Sequence, residues 1–266
     1  MNISLAASKF GERAVILDYL FKHKTPRAFI YSIDDIHAEN PNVAHYDFLY
    51  NANRMDDIRV YFSFRFASCL IKNAPKCGQK VELEDLLKWN FKERRVLQNF
   101  GGFENFPKGE MRALLKAIAS KETGQIEILD FQNGFNASIL PFIKAHPNTQ
   151  FYFIIPPYST ASYKIDKGKF ERLALRLKWL LQQTKDYQNV SVYGFDNLSY
   201  TDNIANYRDF VHYNSDMNSW HLDAIKGGEH ILTLENVNAY LKTMGQKIQA
   251  YDIAPLVDIA KNTLKE

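Results

Sequence analysis

Short runs of β-branched and aromatic residues alternate along the chain with longer stretches in which apolar positions recur at helical spacing. The runs from Asn2 to Ala7, Ala28 to Asp34, Ile126 to Phe131, Gln150 to Pro156 and Val190 to Phe195 read as buried strands, each bounded by turn formers or a helical pattern. Ser8 to His23 repeats apolar residues at Phe10, Ala14, Leu17, Leu20 and Phe21, with Ser8 placed as an N-cap. Phe170 to Lys185 does likewise through Leu173, Leu177, Leu180 and Leu181. Parallel strands need a crossover that a helix supplies, so the pattern predicts an α/β fold, a three-layer parallel sheet with helices on both faces.

From about residue 40 to 120 that rhythm breaks. Amphipathic helical patterns at Asp57 to Asn73 and Val81 to Val96 lead into the turn-rich QNFGGFENFPKG, with no convincing strand. The whole chain, residues 1 to 266, therefore reads as a single α/β domain carrying a helical insertion that caps the sheet. Ligands in open α/β sheets bind beyond the carboxyl ends of the strands, which places such a cap near a binding site. Helices from Met217 to Lys226 and from Asn236 to about Leu264 close the chain, with Trp220, Leu222 and Ile225 expected to face the core.

Composition narrows the class. With 46% hydrophobic and 14% aromatic residues, 266 residues can bury one substantial core, which excludes disorder. Lys and Arg (33) barely exceed Asp and Glu (30) and are interspersed with them, so no nucleic-acid footprint emerges. The longest apolar runs, such as FYFIIPPY, fall far below the roughly 20 residues a membrane helix needs, and the first residues lack the pattern of a signal peptide. Cys69 and Cys77 stand in no CxxC or Cys/His cluster and read as free thiols.

Candidate chemistry gathers after the strand VSVYGFD. A polar connection, NLSYTDNIANY, leads to Asp209 and His212, three residues apart. On one turn the carboxylate can fix the imidazole tautomer and stabilise its protonated form, the orienting half of a catalytic triad; the same spacing also suits a surface turn with a local hydrogen bond. Tyr158 and Ser159 follow two prolines at a strand end, where they serve as a rigid turn or as sugar contacts. Asp34 and Asp35 end another strand and either cap the next turn or bind a polar ligand or a cation. His221 and His230 have no partners at metal-ligand spacing and read as structural or exposed, so no metal is expected. QNFGGFENFPKGE lacks the spacing of a phosphate-binding loop, and the residues imply no cofactor.

The succession of IIPPYS, FERLALRLKWLLQQ, NVSVYGFD and NYRDFVHYNSDMNSWHLDAI resembles the SGNH/GDSL hydrolase superfamily. It looks most like the branch of polysaccharide O-acyltransferases that work in alginate acetylation and teichoic-acid D-alanylation. NISLAASKFGERAVILDYLFKHKTPRAFIYSIDD is similar to that family's second strand, helix and third strand. The resemblance implies a flavodoxin-like topology, with His212 as general base, Asp209 as its orienting acid and Tyr213 following them; Tyr158, Ser159 and Asp34 are the further candidate substrate contacts read from the residues themselves. It also implies a polysaccharide substrate, an acyl donor, a membrane-associated acyl-transfer partner and a place in the cell envelope, although no export signal is read. The family's serine turn, Gly-Asp-Ser or Gly-Ser-Ser, is missing from this sequence, and Ser8 is the serine placed to substitute for it. The chain is expected to be either such an acyltransferase or esterase, active or inactivated by loss of the serine block, or a non-catalytic glycan-binding or accessory protein on the same fold.

Overall fold

The computed structural model describes residues 10–33, 100–120 and 128–265. Among them lie strands β1 (Ala28–Ser32), β2 (Gln150–Ile155), β3 (Val190–Gly194) and β4 (Ile231–Leu232), hydrogen-bonded in that order. β1, β2 and β3 run parallel, with Tyr31 opposite Phe153 and Phe153 opposite Val192; the short β4 runs antiparallel to β3. The result is a mixed α/β fold with a mostly parallel open sheet. The expected strands at Ala28, Gln150 and Val190 are present, while β4 is too short to be seen as an apolar run.

Helices fill the connections: α1 (Phe10–His23), α2 (Lys108–Ala119), α3 (Leu129–Ser138), α4 (Leu140–Ala145), α5 (Thr160–Ile165), α6 (Lys169–Thr184), α7 (Asp216–Gly227), α8 (Val237–Ala250) and α9 (Ala254–Thr263). None of the described helices is long and apolar enough to cross a membrane. α5 and α6 form the crossover between the parallel strands β2 and β3. Alternation along β2 divides the packing. Phe151, Phe153 and Ile155 join Leu17 of α1, Phe135 of α3, Leu177 of α6 and Tyr240 of α8 in the main core. Ile154 belongs to a separate cluster with Tyr193, Phe195 and Ala224 of α7. In the main core, Gly134 allows the close approach of α1 to α3, because a Cβ there would strike the ring of Phe10.

The structure corrects several expectations. Residues 129–131 open helix α3 instead of ending a strand, because Phe131, Phe135 and Ser138 are buried at helical spacing, so tertiary packing overrides the β-propensity of this run. The expected long C-terminal helix is two, α8 and α9, broken where Asp252 accepts a hydrogen bond from the Ala254 N–H and Pro255 starts the new helix. In α7 the buried positions are Met217, His221 and Ala224, which turns Trp220 (49% exposed) and Leu222 (48% exposed) outward instead of into the core. Of the expected insertion, residues 100–120 are described. They form a 3-10 turn at Phe103–Asn105 and then α2, which packs against α9. The strand at Asn2 to Ala7, the helical patterns at Asp57 to Asn73 and Val81 to Val96, and Cys69 and Cys77 lie outside the described residues.

Candidate functional site

Beyond the carboxyl end of β3 the chain turns through Asp196 into 3-10 turns at Ser199–Asp202 and Ile204–Asn206, then closes a tight loop. A bridge between Tyr207 and Tyr213 and a hydrogen bond from the Arg208 N–H to the His212 carbonyl (3.1 Å) define that loop. Asp209 organises its interior. Its Oδ1 accepts from the N–H groups of Val211 (3.0 Å) and His212 (2.8 Å), a turn that Asp forms readily because its short carboxylate reaches the backbone ahead of it.

The same carboxylate holds the imidazole. His212 Nδ1–H donates to Asp209 Oδ2 at 2.7 Å, with Oδ1 at 2.8 Å. Asp209 is largely covered at 15% side-chain exposure, whereas His212 is 63% exposed, so the Nε2 edge faces outward. Burial alone would raise the Asp209 pKa, but the hydrogen bonds from His212 Nδ1 and from the two backbone N–H groups outweigh it and draw the carboxyl down to about 2. A permanently charged acid behind Nδ1 fixes the tautomer that leaves a lone pair on Nε2. Chemically, this is a base with its orienting group in place.

Packing fixes the loop against the strand ends. Phe210 contacts Phe103 and Phe106 with ring centroids 5.5 Å apart, and the Gly101 N–H donates to the Ala205 carbonyl, so the 3-10 turn leading into α2 forms one wall beside the loop. On that wall stands Glu110, whose pKa is raised by burial and by the charge of Asp209, with His212 acting in the opposite sense. On the other side, Ser159 Oγ donates to the Phe210 carbonyl (2.7 Å) and Tyr207 Oη donates to the Pro157 carbonyl (2.8 Å). Ser159 also caps α5, accepting from the Ser162 N–H, and is buried. It therefore positions the loop and presents no open surface. Tyr213 is half-buried, its ring set edge-on to His221. Tyr158 is half-buried too and lies under the Lys169 ammonium at 4.0 Å.

Beneath this arrangement is a buried acid that sequence reasoning passed over. Asp196 accepts from Tyr163 Oη (2.7 Å), Tyr240 Oη (3.0 Å) and the Tyr158 N–H (3.1 Å), joining the exits of β2 and β3 to helices α5 and α8. Burial lifts its pKa to about 6, against the lowering effect of these donors and of Lys169. Its backbone N–H also donates to Tyr240 Oη, an approach Gly194 permits because a Cβ there would come within 2.8 Å of that hydroxyl. The only hint in sequence is an acid ending the strand VSVYGFD. Glu110 carries no such hint, since its partners arrive from a distant part of the chain.

The expected site residues thus separate. Asp209 and His212 are brought together and Tyr213 follows them in the loop; Ser159 meets the loop at the Phe210 carbonyl, whereas Tyr158 lies apart, its N–H on Asp196 and its ring under Lys169. Ser8 and Asp34 lie outside the described residues. Among the described residues no hydroxyl hydrogen-bonds His212 Nε2. The chain matches no family model, no curated protein and no solved structure.

Proposed function

We propose that the chain is an SGNH-like carbohydrate O-acyltransferase or esterase acting on a cell-surface polysaccharide, with Asp209 and His212 as its acid-base pair. In this reading the sheet is the middle of a three-layer, flavodoxin-like sandwich. One observation carries it: the 2.7 Å hydrogen bond that holds His212 Nδ1 on Asp209 while the imidazole stays largely exposed. An imidazole held this way accepts a hydroxyl proton at Nε2, and the resulting cation is stabilised by the carboxylate behind it. The activated oxygen bonds to the ester carbonyl carbon. As the tetrahedral adduct collapses, the bond to the leaving alcohol breaks and Nε2 returns the proton to that alcohol.

Ser8 is the candidate nucleophile, and its acyl ester would pass to a sugar hydroxyl in transfer or to water in hydrolysis. Tyr158, Tyr213 and Asp34 would meet the glycan, and Ser159 would keep the loop in place. A membrane-associated partner would supply the acyl donor, and the scheme uses no cofactor. The alternative is a non-catalytic glycan-binding or accessory protein on the same fold.

Hydrolysis of p-nitrophenyl acetate by the full chain separates them. The catalytic reading expects His212→Ala to lower the rate by a factor on the order of 10² or more. Equal rates for the two proteins would remove it and leave the binding reading.

A further inference from the structure

At the amino ends of β1, β2 and β3, the opposite end of the sheet from the loop that carries Asp209 and His212, the fold gathers cations that lie far apart in sequence. α1 ends in Lys22 and His23 and leads through Lys24 and Arg27 into β1; α4 carries Lys144 in its last turn, and Lys185 caps α6. Hydrogen bonds tie these three turns together. Thr149 Oγ1 donates to the Pro26 carbonyl (2.7 Å), the Gln150 N–H to the Arg27 carbonyl (2.9 Å) and Asn189 Nδ2 to the His146 carbonyl (3.1 Å).

Lys22, Lys24, Arg27, Lys144 and Lys185 are all exposed, and the acids in the same turns are Asp18 and Asp186. Lys22 bridges Asp18 at 2.6 Å, whereas Lys24, Arg27, Lys144 and Lys185 form no ion pair among the described residues. Cations at helix carboxyl ends offset the helix dipole, which accounts for Lys22, Lys144 and Lys185 singly. It does not account for Lys24 and Arg27, which lie past the end of α1, nor for the surplus of positive charge on one face.

A flat anionic surface complements this arrangement. The cations are spread over three turns at one end of the sheet, instead of lining a helix or ribbon that could enter a nucleic-acid groove. At the edge of the patch Tyr19, 40% exposed, lies against the His23 ring with centroids 4.4 Å apart, an amphipathic ring of the kind that sits at a membrane–water boundary.

We infer that this end of the molecule docks on an anionic lipid surface, with Lys24, Arg27, Lys144 and Lys185 against the headgroups. Docking this way leaves the Asp209 and His212 loop on the far side of the sheet, separated from the lipid by at least the length of β3, about 16 Å. The inference goes beyond the acyl-ester reading and stands or falls separately from it.

The test is sedimentation of the full chain with vesicles of phosphatidylcholine and phosphatidylglycerol, against vesicles of phosphatidylcholine alone. Binding is expected to the anionic vesicles only, falling steeply between about 50 and about 500 mM NaCl. Each cation lost should weaken it about fivefold, so Lys24→Gln, Arg27→Gln and Lys144→Gln together should weaken it roughly a hundredfold. Lys226→Gln, Lys242→Gln and Lys261→Gln remove the same charge from α7, α8 and α9 and should leave binding within about threefold. All six side chains are exposed, so both triple variants should fold, which thermal unfolding checks. No sedimentation with the anionic vesicles, equal binding to phosphatidylcholine alone, or equal binding by the two triple variants would each overturn the assignment. A chain that binds a short DNA duplex but not the vesicles would overturn it too and give the patch to nucleic acid.

Discussion

Replacing His221 by phenylalanine should reshape how the stability of this protein depends on pH. His221 is buried, with ring centroids 4.5 Å from Phe195 and 5.6 Å from Tyr213, and its Nε2 has no hydrogen-bond partner among the described residues. Burial disfavours the imidazolium and draws the pKa from 6.5 down to about 4. Between those values the unfolded chain binds a proton that the folded chain refuses, so this residue removes stability as the pH falls through the window. At about 1.36 kcal/mol per pH unit, the gap between 6.5 and about 4 amounts to roughly 3 kcal/mol.

Asp196 acts with the opposite sign. Burial raises its pKa from 3.8 to about 6, so between those values the folded protein keeps a proton that the unfolded chain has lost. Stability from this group is complete below 3.8 and declines as the pH rises to 6, by roughly 3 kcal/mol on the same scale. In the wild-type protein the two effects nearly cancel from pH 4 to 6. His221→Phe removes one of them and should leave stability falling with rising pH, whereas Asp196→Asn should leave it falling with acid. Urea denaturation at pH 4.5, 5.5 and 6.5, followed by tryptophan fluorescence, measures the slopes. A His221→Phe protein whose pH profile parallels the wild type would refute the reasoning.

Packing supplies further tests. Gly194→Ala would bring a Cβ to 2.5 Å from Leu232 Cδ1 and 2.8 Å from Tyr240 Oη, and should cost about 1–3 kcal/mol in chemical denaturation. Phe210→Ala removes a buried ring held between Phe103 and Phe106. Its expected cost is about 3 kcal/mol, with faster amide hydrogen exchange at Val211 and His212 as the local signature.

What the sequence made legible follows from how local each signal is. β2 and β3 were visible because FYFII and VSVYG are buried on both faces and need no partner to be recognised. The Asp209 and His212 contact was visible because it is made within a single turn. By contrast, the Asp196 cluster depends on hydroxyls from Tyr163 and Tyr240, 33 and 44 residues away, which no local pattern announces. Helix α3 was hidden for the opposite reason: its apolar run suits a strand, and only burial of Phe131 and Phe135 against the core selects the helix. For α7, the buried face passes through a histidine, so the apolar count pointed to Trp220 while packing chose His221.

The central claim is that Asp209 holds His212 so that Nε2 is the nitrogen left to accept a proton. Long-range ¹⁵N–¹H correlation spectra of the neutral His212 ring report its tautomer directly. A proton on Nδ1 and a bare Nε2, with the pattern scrambled in Asp209→Asn, is the predicted result. A ring protonated on Nε2 in the wild-type protein would contradict it.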